Sequence, residues 1–264
     1  MEILYITLLT FIAATIGTIT GFGTSTLMIP VLVIFFPPVE AIFLVAIIHW
    51  FGNVWKVALF RKGFDFRLIA LFGLIGLATS YFGAYISLGA NEQILLRILG
   101  AFLAGYALFL IFLGKFSAEG GPASLGPPSG GASPSAGRAG WKVPAGNMTA
   151  LSGGALSGFF AGMFGIGGAI RSMFLLAFDL PKAVYIATAG AIGLLVDSTR
   201  IIAYFTGGAT LPKELWYGLL LFIPISFAGA QIAKKIVDKI PQNKFRIVVA
   251  VFLFVIGAKL VLFP

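Results

Sequence analysis

Gly21-Phe22-Gly23-Thr24 recurs as Gly165-Ile166-Gly167-Gly168, 144 residues further on and again inside a long uncharged segment. The same offset carries Pro37 onto Pro181, Asn53 onto Asp197, Lys56 onto Arg200 and Gly63 onto Gly207. The correspondence runs without a gap from residue 17 to residue 63, so one architectural unit is written twice. Apolar segments broken by glycine at matching places in two repeats are a signature of membrane transporters, with the site at the breaks.

Composition sets the solvent. Hydrophobic residues make up 59% of the chain, charged residues 10%, and the mean hydropathy is +1.03. A soluble domain carries about 25% charged residues. A chain this apolar faces lipid. It has no cysteine and one histidine. Disulfides, thiolate metal sites and a multi-histidine site within one chain are thereby excluded, and no cofactor or metal is expected. No basic stretch precedes the first apolar run, so no cleavable signal is expected.

Residues 3–36 form an uncharged run of 34 residues, followed by single spans at 41–60, 68–88 and 94–114. The pattern repeats as a long run at 147–178 and spans at 183–205, 215–233 and 247–263. A helix rises 1.5 Å per residue, so the long run reaches about 51 Å, short of the roughly 60 Å that two crossings of the bilayer core need. The spacing predicts a hairpin of two short or half-depth helices with its glycine-rich tip inside the membrane. Either a hairpin or two tilted spans gives an odd number of crossings, so the second unit inserts upside down. The expected fold is an all-α polytopic membrane protein of two inverted repeats, each an interrupted Gly-tipped hairpin plus three transmembrane helices. The repeats are residues 1–114 and 147–264. Residues 115–146, dominated by Gly, Pro, Ser and Ala, read as a flexible cytoplasmic linker.

Basic residues orient the chain. Threading these spans puts twelve of the 18 Lys and Arg on one side, Arg61, Lys62, Lys234 and Lys235 among them, and only Arg97 and Lys213 on the other. The first side is cytoplasmic by the positive-inside rule, and both termini lie outside a plasma (inner) membrane. This placement accounts for the net charge of +9 without nucleic acid as a partner.

Four basic residues fall within spans: Lys56, Arg171, Arg200 and Lys259. Ionisable groups at membrane depth mark functional sites by default. His49, Asn53 and Lys56 lie at i, i+4 and i+7, on one helix face. Their repeat mates are Gly193, Asp197 and Arg200, and Tyr204 extends the second stripe. Two such stripes are expected to meet at the repeat interface. Arg200 can bind an anion through its fork of donors with Asp197 orienting it; the plainer alternatives are a structural Asp–Arg pair or an Arg snorkelling to headgroups. Snorkelling is also open to Lys56. Arg171 follows the second glycine tip, where a helix N-terminus offers free N–H groups and the positive end of its dipole. It can instead pair with Asp179 or reach a headgroup. The first tip has Leu27 at that place but supplies Thr24, Ser25 and Thr26. The expected substrate-binding set is Gly21, Gly23, Thr24, Ser25, Gly165, Gly167, Gly168, Arg171 and Arg200. Gly23 and Gly167 are expected to let the backbone approach the ligand. His49, Asn53, Lys56, Asp197 and Tyr204 form a coupling or gating set. His49 can carry a coupling proton or stay neutral against a backbone carbonyl.

Both tips resemble those of the TauE/SafE sulfite exporter family. The resemblance rests on Gly17-Thr18-Ile19-Thr20-Gly21-Phe22-Gly23 with Pro30, and on the run from Ser157 through Gly162-Met163-Phe164-Gly165-Ile166-Gly167-Gly168. It covers both halves and leaves out the linker. It implies an inverted-repeat exporter of sulfite, organosulfonates or related anions. Thr24-Ser25, Ala169, Arg171 and Phe174 depart from the family's pattern and alter the expected lining.

The residues themselves describe a pocket for a small oxyanion worked by alternating access. A passive anion channel and a carrier of another small organic anion are the alternatives. An intramembrane phosphatase would need paired carboxylates, or a nucleophile with its base. Asp197 is the sole carboxylate well inside a span, so no enzyme is expected.

Overall fold

The computed structural model describes residues 2–20, 23–60, 63–118, 145–236 and 242–264. Among these there are ten α-helices and no strand. The first half holds α1 (Glu2–Thr20), α2 (Ser25–Leu32), α3 (Pro38–Leu59), α4 (Phe66–Gly89) and α5 (Glu92–Ala118). The second holds α6 (Asn147–Phe164), α7 (Gly167–Leu175), α8 (Lys182–Thr206), α9 (Lys213–Ile236) and α10 (Gln242–Leu262). Six helices, α1, α3, α4, α5, α8 and α9, are long and apolar enough to cross a membrane. Large apolar side chains such as Leu4, Leu74, Tyr217 and Leu220 point outward, as lipid contact requires.

The interrupted segments differ from two half-depth arms. Their first arms, α1 and α6, are 19 and 18 residues long, whereas the second arms, α2 and α7, have 8 and 9. At 1.5 Å per residue the first arm reaches about 28 Å, close to a full bilayer core, and the second roughly 12 Å. The arms are unequal in length, and the tip lies at the C-terminal end of α1 or α6. Helix α5 also runs through Ala118, past the expected start of the linker; most of that linker, residues 119–144, lies outside the described residues.

Helices pack in an exchanged pattern: α1 rests on α9, and α6 rests on α4. Small residues make the second contact possible. Gly154, Gly158 and Gly162 recur every four residues on α6, and a Cβ at Gly162 would strike the Ser80 carbonyl of α4, as one at Gly158 would strike that of Gly76. Backbones that touch in this way gain dispersion contacts that lipid cannot replace. Helix α5 lies on α10 through Gly100 and Gly257, where a Cβ on either would come within 2.7 Å of the other's carbonyl oxygen.

Helices α3 and α8 lie at the centre and are the most enclosed of the six long helices. They run antiparallel. Trp50 Nε1 donates to Ser198 Oγ at 2.9 Å, Asn53 meets Asp197, and Gly190 packs against Lys56 and Val57, so position rises on one helix as it falls on the other.

Gly162→Ala should lower stability by about 1–3 kcal/mol, because the carbonyl it meets is fixed backbone. Gly105→Ala, with nothing within 4 Å of a new Cβ, should be neutral or stabilising. Thermal unfolding of the two variants in detergent, read by gel filtration, checks both.

Candidate functional site

The polar stripes of α3 and α8 meet face to face. Asn53 Nδ2 donates to Asp197 Oδ2 at 2.8 Å, so the two residues related by the sequence repeat are bonded to each other. His49 Nδ1 lies 2.8 Å from the same oxygen and is the donor of that pair. Arg200 Nε donates to Asp197 Oδ1 at 2.8 Å. Lys56 Nζ donates to Asn53 Oδ1 at 3.2 Å, which fixes the orientation of the Asn53 amide. One carboxylate therefore joins two helices and three side chains.

Arg200 is fully buried and Lys56 is 4% exposed, so neither snorkels to a headgroup. Arg171 is 3% exposed, whereas Asp179 sits exposed beyond the end of α7. Arg171 lies within electrostatic reach of Asp197, Arg200 and Lys56. Among the described residues, three buried Lys and Arg thus face one buried carboxylate. A charged side chain at membrane depth costs about 2.5–3.5 kcal/mol on the insertion scale. Asp197 can answer one of these cations fully, and the others remain in excess.

Both glycine tips dock on this cluster. At the second, Gly165 turns left-handed at φ 71° and closes α6. A Cβ there would crowd Ile29 of α2 and come within 2.9 Å of Arg200 Nη1. The last carbonyls of α6 are answered from α8: Arg200 Nη1 donates to Ala161 at 3.4 Å and Tyr204 Oη to Gly162 at 2.6 Å. Tyr204 therefore positions the tip. At the first tip, Gly23 has φ 85° and donates its N–H to the Gly17 carbonyl at 3.1 Å. A Cβ on Gly23 would collide with His49 Nε2. Thr24 and Ser25 are buried at the start of α2, with Thr24 Oγ1 against Gly52. Gly21 lies outside the described residues.

The free side of Gly167 is filled by Ser157 and Ala161 of α6. The absence of a side chain at Gly167 serves the return of the chain onto α6. Gly168 is buried beside it, in the first turn of α7.

Several buried donors at the two tips make no hydrogen bond: Arg171 Nε, Arg200 Nη2 and Ser25 Oγ. Helices α2 and α7 contact each other, and Ile29 of α2 lies against Gly165 at the second tip. A further group escaped the sequence reading. Ser172 donates to the Ala169 carbonyl at 2.7 Å, and the hydroxyls of Tyr106 and Tyr185 gather around it beside Arg171. The signal available was a tyrosine inside a span, away from the interfacial belts where its hydroxyl would meet water. In the first half the mates of Arg171, Ser172 and Tyr185 are Leu27, Met28 and Ala41, all apolar.

Exchanging the charge between Asn53 and Asp197 tests the pair. Asn53→Asp and Asp197→Asn should each destabilise the protein, the first by opposing two carboxylates and the second by removing the sole counter-charge. The double variant should recover part of the loss, with a coupling energy of about 0.5–3 kcal/mol in a double-mutant cycle of unfolding.

A family model described as "Sulfite exporter TauE/SafE" matches residues 6–260. No curated protein and no solved structure matches the chain. The chain belongs to the TauE/SafE sulfite exporter family, a family of membrane transporters. Its six long apolar helices agree with a multi-pass membrane protein.

Proposed function

We propose that this TauE/SafE family member carries a small sulfur oxyanion, such as sulfite or an organosulfonate, across the plasma membrane, in the direction of export. The observation that carries the reading is the surplus of buried cations around Asp197, together with donors that have no partner in the protein. Arg171 and Arg200 supply the charge, and Ser25, Thr24 and the first-turn N–H groups of α2 and α7 supply hydrogen bonds. An anion of charge −2 would cancel the excess that Asp197 leaves. The pocket is built of donors, and a pyramidal or tetrahedral oxyanion offers acceptors in several directions.

The reading includes two inverted repeats, residues 1–114 and 147–264, joined by the segment 115–146. Antiparallel packing of the repeat-related helices α3 and α8 supports it, because an axis along the membrane normal would make them parallel. The exchange of α1 and α6 between halves is a second observation that supports it. Alternating access then consists of the two tips moving against the α3–α8 pair, with the site near the midplane. The excess of Lys and Arg on one side supports a topology with both termini outside.

Sulfite uptake into proteoliposomes, competed by taurine, sulfoacetate, sulfate and thiosulfate, tests the reading. Saturable uptake with counterflow is expected, and a linear, non-saturating flux would instead make the protein a channel. Arg171→Ala and Arg200→Ala should lower kcat/KM by about 100-fold, the loss expected for a buried charge-assisted bond of roughly 3 kcal/mol. Arg171→Lys should retain part of the activity. Full uptake by Arg171→Ala would remove that residue from the site.

A further inference from the structure

His49 has no counterpart in the other half. Its repeat mate is Gly193, and the place a side chain would take there is filled by the Asn53 amide. The His49 ring is held at one edge. Nδ1 donates to Asp197 at 2.8 Å, while Nε2 is buried without a hydrogen-bond partner. Nε2 is aimed at Gly23, which sits at φ 85° and has no room for a Cβ against the ring. With Nδ1 bound as a donor, the neutral ring presents its basic lone pair to the first tip.

We propose that His49 Nε2 is the binding site of a coupling proton, and that this proton crosses in the same direction as the anion. The inference rests on the anion-transport reading above. Its sign follows from the groups facing the ring. These are Asn53 and Lys56 on its own helix, Asp197 and Arg200 on α8, and the Gly23 backbone at the first tip. Asp197 is the sole carboxylate among them and is already shared with Arg200 and Asn53. In an empty pocket a proton on His49 would add a further positive charge to an unbalanced excess. With a dianion bound, that excess is cancelled and the imidazolium is admitted. Proton and anion therefore raise each other's affinity by one common factor. Ligands that bind best together cross together, whereas exchange would require each to expel the other. The proton is taken from buffer on the side to which the pocket opens and returned to buffer on the opposite side; the N–H bond at Nε2 is the one formed and broken.

Calorimetric titration of the purified protein with sulfite, in two buffers of different ionisation enthalpy, counts protons taken up on binding. Sulfate, a dianion throughout the neutral range, separates a proton on the protein from one on the ligand. The wild type should take up about one proton per anion. His49→Asn keeps an amide donor where Nδ1 stood but deletes Nε2. It should keep its melting temperature, lose the proton uptake, and bind about tenfold more weakly at slightly acidic pH, with a flat pH profile. His49→Gln is the second variant, should His49→Asn fold poorly. Anion binding by the wild type without proton uptake overturns this inference and leaves transport standing. Uptake that survives in His49→Asn and vanishes in Lys56→Met places the proton on Lys56 and also overturns it. Absence of binding by either anion in the wild type overturns the transport reading itself.

Discussion

The carboxylate of Asp197 is the constraint on which the rest of the site depends. It is buried at membrane depth, where an ion survives only with close partners. Three donors meet it at 2.8 Å, from His49, Asn53 and Arg200. Two of these sit on α3 and one on its own helix, so the carboxylate both joins the central helices and sets the rotamers of the side chains around it. The tips are then placed by those side chains. Gly23 stops against His49, Gly165 against Arg200, and the last turn of α6 is tied by Tyr204. A change at Asp197 would reach both tips without touching either.

Glycine does two separate jobs in this fold. At Gly23 and Gly165 it supplies left-handed backbone that other residues adopt at a cost, and it leaves space for a functional side chain. At Gly158, Gly162 and Gly167 it lets helices touch backbone to backbone. The second job supports the first. Close packing of α6 on α4 fixes the depth and direction of a helix whose far end is the tip. Residues on a rigid helix position ligand donors more tightly than residues on a loop, and here the loops are only a few residues long.

Much of this was legible in the chain. The apolar runs located the spans to within a few residues, because charge is too costly inside lipid to blur their ends. The i, i+4, i+7 stripe of His49, Asn53 and Lys56, with its repeat mates, located the centre of the cluster. Helix lengths within the hairpins were not legible. An unbroken apolar run carries no mark where α2 ends after eight residues, and Pro30 sits inside that short helix without stopping it. Snorkelling was also a fair expectation for Lys56 and Arg200 from position alone; whether a long side chain reaches headgroups depends on what packs beside it, here Gly190 and the carbonyl of Ala161. Tyr106, Tyr185 and Ser172 were missed because each is unremarkable by itself and meets the others only through the packing of α5, α7 and α8.

The side chains of the two sequence repeats differ where the chemistry lies. The scaffold repeats: α3 answers α8, α1 answers α6, and Asn53 bonds to Asp197, its own mate. The functional groups do not repeat. His49 stands opposite Gly193, Arg171 opposite Leu27, and Tyr185 opposite Ala41. A site with equal halves would present the same charge to both tips, and one ligand could then occupy two equivalent places. Here the second tip carries fixed positive charge and hydroxyls, while the first faces a titratable ring. The two tips therefore differ in chemistry, and Asp197 is bonded to side chains that touch both: His49 at the first and Arg200 at the second. In the proposed transport cycle, a repeated backbone supplies two end states of similar energy, and the differing side chains let the ligands bias the exchange between them.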